Sequence, residues 1–197
     1  METVTNENNY NNNTTDFVPA FKMLNDELKK INESLELICA GGYVMQLNGY
    51  RGTSDIDAFY KSNVAIESII RRVGDEFGIN KPDELWLNNS ISNMNPAPPD
   101  MYCEVVHKLS NLTVKAVEMT YLIGMKLMSA RGQDLIDLAV IIKDRNNFQP
   151  FELLSRLVEM NFDIDISILL DAFEGAHGMD WLDTFYRENE AELRKFF

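Results

Sequence analysis

With 197 residues, 45% of them hydrophobic and 25% charged, the chain has the composition of a globular protein and the length of one α/β domain, alone or with a small helical addition. Its formal net charge of −13 argues against a general nucleic-acid-binding surface, because non-specific affinity comes from neutralising phosphates. No stretch approaches a transmembrane helix and the amino end lacks a signal-peptide pattern, so a soluble, cytoplasmic protein with no membrane partner is expected.

The charge is unevenly spread. From Asp144 to Phe197 there are 5 Lys/Arg against 12 Asp/Glu, a balance of −7. Between Lys108 and Arg131 the sign reverses, with Lys108, Lys115, Lys126 and Arg131 facing only Glu118. A basic island in an acidic body can still hold one triphosphate, where local field outweighs net charge. Cys39 and Cys103 lie in apolar strand-like runs and read as buried thiols in a reducing compartment.

Residues 1–16 are Asn-rich and nearly free of apolar side chains, which predicts a disordered tail. Phe21, Leu24, Leu28 and Ile31 then recur at helical spacing. The apolar run Leu35–Cys39 reads as a buried strand, followed by Gly41 and Gly42, a helical segment from Tyr43 to Leu47, and a turn at Asn48, Gly49 and Gly52. Asp55 and Asp57 flank Ile56 on the next expected strand, and residues two apart on a strand share a face.

Asn63 is a candidate N-cap for a helix closed at Gly74 or Gly78. A short strand-like run, Glu84 to Leu87, leads into an Asn- and Pro-rich loop that reaches Asp100. Tyr102–Leu109 and Leu112–Met119 form an expected hairpin. Helices are predicted from Tyr121 to Ala130, from Gln133 to Lys143, and from Pro150 onward. The expected organisation is a tail over 1–16, a core over 17–144 and a helical extension over 145–197. In that extension Trp181, Phe185, Tyr186, Phe196 and Phe197 fall at helical spacing, as core or as a docking face.

Two carboxylates held on one strand face repel unless a cation lies between them, and Mg²⁺ commonly takes one or two carboxylates plus substrate phosphates. Gly41–Gly42 at a helix start suits phosphate, although a tight turn alone can require glycine. Arg51 is placed either to pair with the carboxylates or to bind phosphate bidentately, and Thr53 to support the turn. The stretch Gly41-Gly42 … Arg51-Gly-Thr53-Ser-Asp55-Ile-Asp57 resembles the nucleotidyltransferase superfamily that includes DNA polymerase beta. More narrowly it is similar to a bacterial nucleotidyltransferase-like group related to AbiE-type toxins.

The resemblance implies an α/β core, a small mixed β-sheet packed with helices and extended by C-terminal helices. It implies a Mg²⁺ cofactor on Asp55 and Asp57, a nucleoside triphosphate substrate, and nucleotide contacts from Gly41, Gly42, Arg51, Thr53, Lys126 and Arg131. The last two stand in Lys126-Leu-Met-Ser-Ala-Arg131-Gly-Gln-Asp134-Leu-Ile-Asp137, similar to a second pattern of the group. Its spacings of three suit a surface ion-pair ladder equally well. A third carboxylate is usual in two-metal phosphoryl transfer. Glu104 and Glu118 are candidates, and Glu104 is taken as the third catalytic acid; Asn88 and Asn89 stand where an acid is expected. The implied role is nucleotide transfer to a tRNA or protein acceptor, as the toxin of a toxin–antitoxin pair with an antitoxin partner. The alternative is a decayed transferase fold that acts by binding. His107 and His177 lack partners at metal-ligand spacing.

Overall fold

The computed structural model describes residues 14–93, 96–145 and 147–196. The expected tail lies outside the described residues up to position 13; Asp16, by contrast, is fixed, its Oδ1 accepting from Val18 N at 3.0 Å. The described chain forms two compact units, within 1–118 and 119–197. The boundary therefore falls at the end of the hairpin, not near residue 144. Glu118 N closes the last pairing by donating to Tyr102 O (2.8 Å), and Met119 begins a helix at once.

In the first unit α1 (Val18–Lys30) leads to β1 (Leu35–Cys39), α2 (Gly41–Leu47), β2 (Ile56–Phe59), α3 (Val64–Glu76) and β3 (Leu87–Asn88). The hairpin β4 (Cys103–Lys108) and β5 (Leu112–Val117) completes a mixed sheet of order β3-β2-β1-β5-β4. The α/β class expected from the sequence is the class observed. β1 runs parallel to β5 and antiparallel to β2, while β2 and β3 are parallel.

Alternation along the strands sends Leu35, Leu37, Cys39, Ile56, Ala58, Leu112 and Val114 into one core with Phe17, Phe21, Leu24, Leu28, Ile66 and Ile70. Helices α1 and α3 thus cover one sheet face, and the other carries Glu36, Ile38, Asp57 and Phe59. Asn63 caps α3 as expected, its Oδ1 accepting from Ala65 N and Ile66 N. Gly74 lies inside α3, where a Cβ would meet Asn80 and Trp86, so the closing glycine is Gly78 at φ +63°. Asn25 ties α1 to the hairpin tip by accepting from Asn111 N at 2.8 Å. His107 packs against Phe21, with ring centroids 5.5 Å apart and the planes tilted by 48°, in keeping with a packing role.

The second unit is helical among its described residues: α4 (Met119–Ser129), α5 (Gly132–Asp144), α6 (Pro150–Glu159), α7 (Ile166–His177), α8 (Met179–Glu188) and α9 (Glu190–Leu193). Pro150 begins α6, as its missing N–H permits. Gly124 leaves room on α4 for the Phe162 ring, which would lie 2.5 Å from a Cβ there. Among the described residues, no helix is long and apolar enough to cross a membrane.

Candidate functional site

The Gly41–Gly42 turn joins β1 to α2, and both its glycines are required by their surroundings. Gly41 has φ +57°, a left-handed conformation, and a Cβ there would lie 3.0 Å from Asp57 Oδ2. A Cβ on Gly42 would lie 2.6 Å from Thr53 Oγ1 and 3.4 Å from Arg51 Nη1. The turn is thus wrapped by the side chains of the Arg51–Asp57 segment.

That segment is held by short-range bonds. Gln46 of α2 accepts from Thr53 N at 2.9 Å and donates to Thr15 O at 2.8 Å. Thr53 Oγ1 donates to Asp55 O at 3.1 Å, which supports the turn role expected of it. Arg51 Nη1 donates to Gly52 O at 3.3 Å, and Arg51 and Asp57 are both engaged within the fold.

β2 begins at Ile56, one residue later than expected, so Asp55 sits on the bend that enters the strand. Its Oδ1 accepts from Ser54 Oγ at 3.3 Å and lies 3.5 Å from both Thr53 Oγ1 and Lys81 Nζ. Lys81 also pairs with Glu84 at 2.9 Å, and that bond is the main reason its ammonium titrates above the ordinary lysine value. Asp57 Oδ2 and Asp55 Oδ1 are therefore reached from the same glycine turn, one directly and one through Thr53. The sequence offered no signal for Lys81, which stands 26 residues from Asp55.

Asn88 pairs in register with Asp57 and shares its sheet face. Ser90 N and Oγ both donate to its Oδ1, which fixes the amide so that Nδ2 is the free end. Among the described residues that buried Nδ2 has no acceptor, and the buried Asn89 Oδ1 no donor. Buried polar atoms without partners are uncommon and call for an explanation.

Glu104 does not join this group, and the expectation that it completes the site is corrected. It pairs with Ala116, which pairs with Cys39, which pairs with Ala58. Paired residues share a face, so Glu104 sides with Ala58, and Asp57 points the other way. Among the described residues, no group of three or more His, Cys, Asp or Glu could hold a metal. Two carboxylates still match what Mg²⁺ asks of a protein when phosphates and water fill its other positions, and Asp55 already attracts a cationic side chain.

Lys126 and Arg131 belong to the second unit. Lys126 is 4% exposed, and its ammonium donates to Asp134 Oδ1 at 2.9 Å and Asp137 Oδ2 at 2.7 Å. Gln133 donates to the other Asp137 oxygen at 2.9 Å, and Arg131 Nε to Asp134 Oδ2 at 3.0 Å. Burial works to raise the pKa of Asp134, but the Lys126 hydrogen bond and charge outweigh it and hold the carboxyl below its ordinary range. The spacing of Asp134 and Asp137 puts both on one side of α5, where they clasp the lysine. Comparison with protein-family models, with curated proteins and with solved structures returned no match.

Proposed function

We propose that the chain is a Mg²⁺-dependent nucleotidyltransferase-like protein, which moves a nucleotide from a nucleoside triphosphate to an acceptor hydroxyl. The observation that carries this reading is the approach of Asp57 to Gly41, and of Asp55 through Thr53 to Gly42. Bound Mg²⁺ would neutralise charge on the triphosphate and polarise the reacting phosphoryl group. Asp55 and Asp57 would hold the ion. Arg51, beside Gly42, would bind phosphate oxygens, and the Asn88 amide offers one more donor on the Asp57 face. Lys126, clasped by two aspartates, is given a structural role in this scheme.

The acceptor classes in view are a tRNA, a protein hydroxyl and a small molecule, and the toxin role would bring an antitoxin as partner. The acidic balance of the chain favours an acceptor with a small phosphate footprint. The reading is tested by thermal melting with Mg²⁺ and each of the four nucleoside triphosphates. A rise in melting temperature that disappears in Asp55→Ala/Asp57→Ala is the expected result, and a flat response in the wild type would reject it.

A second reading has its own support. The turned-away Glu104, and the lack among the described residues of a third acid grouped with Asp55 and Asp57, favour a fold that binds a nucleotide without transferring it. Triphosphate binding with no label transferred to any offered acceptor is the outcome that selects this alternative.

A further inference from the structure

The second unit contains a groove that the nucleotide-transfer reading does not use. Phe151 and Glu152 line it from the first turn of α6, and Trp181, Thr184, Phe185 and Glu188 from one face of α8. Spacings of three and four put those four α8 residues on one side of the helix. The hollow encloses about 450 Å³.

Its apolar wall is a run of stacked rings. Trp181 and Phe185 lie 5.2 Å apart at 13°, Phe151 and Phe185 are 5.4 Å apart, and Phe196 stacks on Phe151 at 6.1 Å. Such mutual stacking holds the wall in shape before any partner arrives. Phe196 remains 46% exposed at the end of the run.

The charge around this wall is predominantly negative. Glu152 and Glu188 are exposed at the rim, and among the described residues no Lys or Arg lines the groove itself. Of the bases close by in sequence, Arg194 and Lys195 are paired with Glu190 and Glu192, Arg187 donates to Asp183 O and Thr184 Oγ1 and keeps its charge, and Arg156 stands one turn along α6 from Glu152. Asp180 and Asp183 are exposed and form no ion pair among the described residues. An apolar floor with an acidic rim selects apolar side chains interleaved with cations.

We propose that this groove docks a basic amphipathic peptide segment of a protein partner, with apolar side chains on Phe151, Trp181 and Phe185 and Lys or Arg on Glu152 and Glu188. The inference stands apart from the nucleotide site, since none of its residues is used there.

Trp181 lines the groove whereas Trp86 is buried in the first unit, so the part of the emission lost in Trp181→Phe reports on the groove. The probes are a synthetic Leu/Lys amphipathic helix and its Leu/Glu counterpart, added to the full chain. A saturable change in Trp181 emission with the Leu/Lys peptide, weakened by salt and by about tenfold in Glu152→Gln/Glu188→Gln, is the expected result. The two changes lie at exposed positions, and unaltered melting of the double variant shows that the fold is kept. Equal binding of the two peptides, equal binding by the double variant, or no emission change overturns the proposal. So does a concentration-dependent dimer that the double variant abolishes, which would make a second copy the occupant.

Discussion

Asp57 Oδ2 occupies the space into which a side chain on Gly41 would project, 3.0 Å from its Cβ. Gly41 is also left-handed, at φ +57°. Gly41→Ala therefore meets a backbone penalty of about 1–2 kcal/mol before any crowding of the carboxylate. Chemical denaturation should show a loss of that size or somewhat more, with the Mg²⁺–triphosphate melting shift reduced. An unchanged midpoint would mean that the turn relaxes freely.

Lys81 holds Asp55 at 3.5 Å, with 45% of the lysine side chain exposed. A screened pair of this kind contributes about 0–1 kcal/mol, so Lys81→Ala should leave melting almost unaltered. The same change removes a competitor for the carboxylate and should strengthen Mg²⁺ binding severalfold. Calorimetric titration checks this, and weaker binding in the variant would assign Lys81 to holding the phosphates rather than to offsetting Asp55.

Asp57→Asn separates a metal seat from a purely structural carboxylate. Asp57 is engaged within the fold, but Asn keeps its shape and relieves one of two neighbouring like charges, so the metal-free fold should change in stability by less than about 1 kcal/mol. The Mg²⁺-dependent gain in melting temperature should vanish at the same time. A marked destabilisation without Mg²⁺ would point instead to contacts within the fold as the reason for this aspartate.

Lys126→Met leaves Asp134 and Asp137 facing each other under cover without the ammonium that both of them bind. Breaking a buried pair in this way costs about 3–5 kcal/mol, read as a lower denaturation midpoint. The pH dependence follows from the same contacts. Asp134 titrates below its ordinary 3.8 in the folded chain, so its contribution is complete above that value and lost as pH falls through the depressed one. Stability should fall on acidification below about pH 4 for this reason, and less steeply in Asp134→Asn.

Much of the first unit was legible because its signals are local. The run Leu35–Cys39 alternates inward, Asn63 caps α3, and the hairpin turns at Ser110–Asn111. The pairing of Asp57 with the glycine turn was legible for the same reason, since the residues lie close in sequence. Lys81 was not, because it reaches Asp55 only through the fold of the loop before β3. Nor was the direction of Glu104, which depends on register across four strands. The division after Glu118 escaped because composition does not shift there; the acidic excess begins later, near Asp144. Lys126 read as a triphosphate contact, with the ladder of threes running through Arg131, Asp134 and Asp137; burial, which spacing cannot report, places the lysine between two of them.

The irregularity in β4 gives the orientation of Glu104 an unusual dependence. Val105 pairs with Lys115 and His107 with Val114, so Val106 is a supernumerary residue that inverts the pleat at that point. Glu104 lies on the near side of the inversion. Relocating the extra residue to precede Glu104, by one insertion and one deletion in the strand, would rotate the acid through the plane of the sheet onto the side of Asp57. The face that Glu104 presents is thus set by the position of one extra residue in β4, without any change of acidic residue.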